Sequence, residues 1–262
     1  MIKINKKKKN TITITIINQK GGVGKSTTAV NLAAALGEKG KHILVVDLDP
    51  QGNTTSGFGV EKIMGMKSIY DGLMNDTSAE ELILSTNEAN VHIIPATIDL
   101  AGAEPELAVV ISRETRLDDV LKQVKGNYDF IIIDSPPSLG LLTINSLAAA
   151  DELIIPIQCE YYALEGLSKL LDTIKLVKVR LNQSLEVQGV LLTMFDARTT
   201  LARQVSEEVK EFFTDKVYKT IIPRSVKLAE APSYGQSILT YSSSSKGAQA
   251  YRELAKEVIK RG

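Results

Sequence analysis

The sequence holds one cysteine, Cys159, and two histidines, His42 and His92, in 262 residues. A single cysteine excludes an internal disulfide and fits a reducing cytosol. Both histidines open apolar runs, so no Ser–His–Asp arrangement emerges for nucleophilic chemistry. An excess of charge of one sign is missing too: 31 Lys and Arg balance 31 Asp and Glu. No global attraction to DNA or to a membrane follows, and only a local basic patch could supply one. Apolar runs are too short to cross a bilayer. Linkers, low-complexity segments and short repeats are also lacking.

What remains is ordinary for a globular protein, with 44% hydrophobic and 24% charged residues. The length suffices for a substantial core and stands near the upper end for one domain. Residues 11–262 are therefore read as one domain behind a basic tail, residues 1–10. The lysine run Lys6–Lys9 precedes "TITITII" and then a glycine loop, not a cleavage site, so it is not a secretory signal. It reads as a solvated tail, with a DNA-touching arm as the alternative.

Along the chain, residues 11–17 alternate Thr and Ile, the period of a strand. "HILVVDLD", "VHIIPA", "DFIIIDSPP", "DELIIPIQ" and "EVQGVLLTMF" are short apolar runs, as parallel strands covered on both faces require. Helical stretches are expected at about 98–108, 113–125, 140–149, 163–181 and 199–213, with another over "KGAQAYRELAKEVIKR". Residues 50–90 are the least regular. This alternation argues for an α/β fold, a twisted and mostly parallel sheet with helices on both faces.

Between the first strand and the first helix stands "NQKGGVGKST", residues 18–27. Gly21, Gly22 and Gly24, with Val23 among them, let successive N–H groups point at one anion. The helix start adds its positive dipole end. Lys25 is placed for β- and γ-phosphates, Ser26 for Mg²⁺ and Thr27 for the α-phosphate. The loop departs from G-x-x-x-x-G-K-[ST], because Gln19 stands where the first glycine belongs. It also carries a second lysine, Lys20.

Asp47 and Asp49 lie two apart at the end of a strand, so they are expected to face one way. Asp134 ends the strand "DFIIID". Strand ends are where ligands bind in open α/β sheets. A turn or helix cap is the bland alternative for each. Pro136 and Pro137 stiffen the exit after Asp134. The segment is either a γ-phosphate sensor or a rigid turn.

At the lysine-flanked loop the sequence resembles the deviant Walker A motif of the ParA/Soj/MinD group of ATPases. "VDLDPQGNTTSGFG", "IPATIDLAGAEPEL", "DFIIIDSPPSLGLLTINSL", "PIQCEYYALEGLSKLL", "GVLLTMFDARTTL" and "IPRSVKLAEAPSYGQSI" resemble the chromosomal ParA/Soj branch, from about residue 11 to 260. The resemblance implies a P-loop NTPase fold, ATP/ADP and Mg²⁺ as cofactors, and an ATP-dependent homodimer. Lys20 would then reach the partner's phosphates, where the alternative is a solvated surface lysine. Asp49 would position the attacking water. Asp47 would stand near the Mg²⁺ shell, and Asp134 would hold Mg²⁺ through water.

The same resemblance places Pro223 and Ser225 beside adenine, although relatives often carry Asn where Ser225 stands. Arg198 and Lys227 match basic positions used for DNA, and Arg224 lies beside them in sequence. Residues 196–227 hold seven Lys/Arg and five Asp/Glu, a slight basic excess. The implied function is DNA partitioning in the cytoplasm, on the nucleoid, with a ParB-like partner and no membrane. A MinD-like membrane-cycling ATPase is the alternative. Its amphipathic C-terminal helix finds little match here, where Ala248, Tyr251, Leu254, Ala255, Val258 and Ile259 suit docking on the protein's own core. An iron–sulfur relative would need two cysteines per subunit, and only Cys159 is present.

Overall fold

The computed structural model describes residues 10–160 and 166–262. The lysine run Lys6–Lys9 and the expected start of a helix at 163 lie outside the described residues. Eight strands form one sheet: β1 (Ile12–Ile16), β2 (Ile43–Asp47), β3 (Leu84–Ser85), β4 (Val91–Ile94), β5 (Phe130–Asp134), β6 (Glu152–Gln158), β7 (Glu186–Phe195) and β8 (Val217–Pro223). Their spatial order is β3-β4-β2-β5-β1-β6-β7-β8. Every pairing is parallel except the two-residue edge strand β3 against β4.

The central strands are buried on both faces, which explains their continuous apolar runs. In β5, Ile131 and Ile133 join one core cluster, while Phe130 and Ile132 join the cluster across the sheet. β2 divides the same way, with Leu44 and Val46 opposite Ile43 and Val45. Full burial of each such side chain contributes roughly 1.5–3 kcal/mol. β1 solves the two-sided problem differently. Its Thr13 and Thr15 are fully buried, and the Thr15 hydroxyl meets that of Ser135 at 2.8 Å.

The first helix, Lys25–Glu38, and the C-terminal helix, Lys246–Arg261, cover one face together. The C-terminal helix buries Ala248, Tyr251, Leu254, Ala255 and Val258 there. Its apolar face is therefore used inside the fold, as expected. The helices Leu141–Ala149 and Thr200–Phe213 also fall within two residues of expectation.

Two stretches were not legible. β8, "VYKTIIP", mixes Lys219 and Thr220 into an edge strand, and Glu257 accepts hydrogen bonds from both of their backbone N–H groups. Residues 50–90 form three short helices, Asn53–Gly57, Ile69–Met74 and Ala79–Leu82, each too short for a periodic pattern. β1 lies between β5 and β6, and the chain leaves it to opposite sides of the sheet. The loop after β1 thus stands at the topological switch point, where a crevice opens.

Candidate active site

The loop Asn18–Lys25 is shaped by its glycines and tied down by its neighbours. Gly22 and Gly24 have φ of +74° and +89°, a region that side chains resist. Asn18 fastens the loop at its base: its side-chain carbonyl accepts from Lys20 N at 2.9 Å and its amide donates to Pro156 O at 2.7 Å. At the far end, the Thr193 hydroxyl donates to Val23 O at 2.9 Å. The ends of β6 and β7 therefore hold the loop before any ligand arrives.

Lys25 opens the first helix and is buried. Its ammonium donates to Lys20 O at 3.2 Å. Burial lowers its pKa, and the charges of Asp134 and Asp49 act against that. The helix carries no acidic residue in its first turn, so its positive end stays open to an anion.

A cleft of about 560 Å³ opens over the loop, lined by Gly21, Lys25, Ser26, Asp49, Asn53 and Pro137 among others. A second cavity of about 230 Å³ adjoins it through Gly24, Thr27 and Met194. Pro223, Ser225, Ile222, Leu228 and Tyr251 line that cavity, which is predominantly apolar. The pair suits a charged chain of phosphates joined to a flat base. Met194 sits at the junction with φ of +51°, unusual for a residue other than glycine. No individual role fell to Met194, Thr193 or Asn18 from the sequence, although the stretches singled out there contain all three.

The strand-end carboxylates divide into two kinds. Asp47 and Asp134 are register partners on β2 and β5, both fully buried. Asp47, expected near the metal, has both oxygens on donors of its own chain. One accepts from Thr55 N and Thr55 Oγ1, each at 2.7 Å, and the other from Asp49 N at 3.2 Å. It anchors the Asn53–Gly57 helix. Burial pushes its pKa up to about 6, with these bonds opposing.

Asp134 accepts from Thr54 Oγ1 at 2.7 Å through Oδ2, while Oδ1 is buried without a hydrogen-bond partner. Burial first, and then Asp47, push its pKa up to about 7; Thr54, Ser26 and Lys25 favour its charged form. Asp49 lies beyond the end of β2, so the two-residue period of the strand does not bind it to the direction of Asp47. It lines the cleft, and its Oδ1 accepts from Gln51 N at 3.0 Å.

The three basic residues expected on a DNA surface are all exposed or partly so, but not free. Arg198 grips Asp196 with two hydrogen bonds, at 2.9 and 2.7 Å. Arg224 pairs with Glu160 at 2.7 Å, and Lys227 donates to Ser242 Oγ at 3.0 Å. Arg224 also lines the apolar cavity. Two of the three charges are thus neutralised locally, which a count along the sequence did not reveal.

A family model described as an AAA domain matches residues 11–187. The sporulation initiation inhibitor protein Soj of Bacillus subtilis is 59% identical over 95% of this chain and 98% of its own. The chain belongs to the ParA/Soj family. The chromosome partitioning protein ParA of Myxococcus xanthus is 52% identical over 95% of this chain and 88% of its own. Among solved structures, one titled cobyrinic acid a,c-diamide synthase, from Mycobacterium smegmatis with bound ADP and magnesium, superposes with a TM-score of 0.85. It is 38% identical and covers 95% of this chain and 94% of its own. MinD from Pyrococcus horikoshii, complexed with Mg-ADP, gives a TM-score of 0.75 at 31% identity, over 95% and 96% of the two chains.

The ParA/Soj loop and its surroundings fit magnesium in one particular way. Among the described residues, no group of three or more His, Cys, Asp or Glu could hold a metal ion. Mg²⁺ keeps several waters and prefers one or two protein oxygens plus substrate phosphates. The Ser26 hydroxyl and the orphan Oδ1 of Asp134 would fit that small donor set.

Proposed function

We propose that this ParA/Soj-family chain is a Mg²⁺-dependent ATPase that partitions chromosomal or plasmid DNA. ATP closes two copies into a sandwich dimer, the dimer binds double-stranded DNA without sequence preference, and a ParB-like partner stimulates hydrolysis to release it. One observation carries the catalytic part: a glycine loop with a buried lysine shares with Asp49 a cleft that continues into an apolar, base-sized cavity, and the buried Asp134 acts electrostatically on that lysine. The cellular part rests on the 59% and 52% identical relatives, whose names concern sporulation control and chromosome partitioning.

The reaction transfers the γ-phosphoryl group to water, so catalysis lies in positioning and charge. Loop N–H groups and Lys25 hold the β- and γ-phosphates. Asp49 orients the water for in-line attack; as the water oxygen bonds to phosphorus, the bond to the β–γ bridging oxygen breaks, ADP leaves with that oxygen, and the water's proton passes to a phosphate oxygen. Mg²⁺, when bound, neutralises the phosphate oxygens, and Ser26 with Asp134 would hold it. Lys20 of the partner copy would complete the charge on the transferred group, a contribution of roughly 10³–10⁵ in rate for such cations supplied in trans. Pro223 and Ser225 would border the base. Arg198, Arg224 and Lys227 would meet DNA phosphates, and a dimer doubles those contacts.

No helix among the described residues is long and apolar enough to cross a membrane. The C-terminal helix spends its apolar face in the core, which favours nucleoid DNA over a membrane as the working surface. Size-exclusion chromatography of wild-type and Asp49→Ala protein with ADP, then ATP, with and without DNA, tests the reading. Asp49→Ala should bind ATP and dimerise but not turn over; normal turnover refutes the assignment.

A further inference from the structure

One turn of helix joins the ends of three strands behind the cleft. Thr55 performs the structural part. It gives two hydrogen bonds to Asp47 at the end of β2, and its Oγ1 accepts from Ala96 N, just past β4, at 3.0 Å. Thr54, its neighbour, is also fully buried, and its hydroxyl donates to Asp134 Oδ2 at the end of β5. Gly52, at φ +61°, starts this helix where a Cβ would stand 3.2 Å from Ala96 O. The helix turn that carries Thr54 is therefore fixed on both sides of it.

We propose that Thr54 is a positioning residue for the metal-binding carboxylate: it pins Oδ2 of Asp134 with one hydrogen bond and so leaves Oδ1, the buried oxygen without a partner, for Mg²⁺ or its water. The inference rests on the nucleotide reading above. A carboxylate with both oxygens free could rotate and bind in several ways. With one oxygen pinned, fewer geometries remain, and part of the ordering entropy is spent in folding instead of in binding. Thr55 cannot substitute, because its hydroxyl is already shared between Asp47 and Ala96. Outer-shell partners of this kind are worth about 10–100-fold in metal affinity.

The test is a titration of Mg²⁺ against fixed protein and a fluorescent N-methylanthraniloyl-ADP, with a parallel titration in EDTA. Thr54→Val removes the donor and keeps the shape. It should raise the Mg²⁺ concentration at half-saturation about tenfold while nucleotide affinity in EDTA stays at the wild-type value. Thr54→Ser, which keeps the hydroxyl, should restore the wild-type Mg²⁺ response. If Thr54→Val lacks the wild-type circular dichroism spectrum, Thr54→Ala carries the same comparison. An unchanged Mg²⁺ midpoint, or a Thr54→Ser variant as impaired as Thr54→Val, overturns the proposal and leaves the nucleotide site standing. Wild-type protein that binds no nucleotide at any Mg²⁺ concentration overturns both.

Discussion

The ammonium of Lys25 rests on the backbone carbonyl of Lys20, 3.2 Å away. One lysine of the loop thus holds the other's main chain, and the two side chains have different tasks. Lys25 is buried inside the cleft of its own subunit. The partly exposed Lys20 has no hydrogen bond or ion pair from its ammonium to any described residue. A desolvated cation aimed at the cleft suits phosphate binding in cis, and a cation without a local partner suits a neighbour in trans.

The two lysines should therefore separate experimentally. Lys25→Ala is expected to abolish ATP binding, read by equilibrium dialysis. Lys20→Ala should bind ATP within about threefold of wild type, a difference under 1 kcal/mol, yet elute as a monomer with ATP. Loss of binding in both variants would show that Lys20 acts within its own subunit.

Arg198 is committed to Asp196 by a two-bond grip that holds the Asp196 carboxyl well below the usual carboxylate range. Removing the acid frees the cation and deletes a negative charge from the surface. Asp196→Ala should tighten binding to non-specific duplex DNA several-fold at low salt and steepen its salt dependence by about one phosphate contact. Arg198→Ala with Lys227→Ala should do the reverse, with ATPase retained. Fluorescence anisotropy across a salt series checks both, and an Asp196→Ala curve identical to wild type would remove Arg198 from the DNA surface.

Gly189 in β7 is required by packing. A Cβ there would stand 2.5 and 2.7 Å from ring atoms of Tyr218. That ring cannot retreat, since its hydroxyl donates to Gln188 Oε1 and the Arg261 guanidinium lies 4.2 Å from its centroid. Gly189→Ala is expected to destabilise the fold by about 1–3 kcal/mol, seen as a lower urea midpoint with an unchanged slope.

Cys159 is 4% exposed, and burial pushes its thiol up to about 11 from 9.0. The folded state keeps this proton where the unfolded chain has released it. Stability from this group is complete below pH 9 and is lost as pH rises toward 11. Iodoacetamide at pH 8.5 should alkylate the urea-unfolded chain and leave the folded protein unmodified over the same interval. Equal labelling would mean that the thiol is open to solvent.

The sequence by itself determined the sheet's central strands and the phosphate loop. Local rules govern both: continuous apolar runs must be covered on two faces, and a glycine loop between strand and helix has few other uses. Asp134 was marked by its place at the end of an apolar run, and Pro223 and Ser225, which line the apolar cavity, by family resemblance along the chain. Tertiary structure alone decided what each carboxylate does. Asp47 and Asp49 differ by two positions, yet one is consumed by Thr55 and the other faces the cleft. It alone revealed Thr193 fastening the loop and Asp196 and Glu160 pairing with two arginines expected on a DNA surface. Thr193 and Glu160 act across long stretches of chain. Asp196 stands only two residues from Arg198, but the counted charges did not say whether the two would meet. A hydrogen bond or ion pair depends on distances set by how strands and helices stack, and neither composition nor spacing records them.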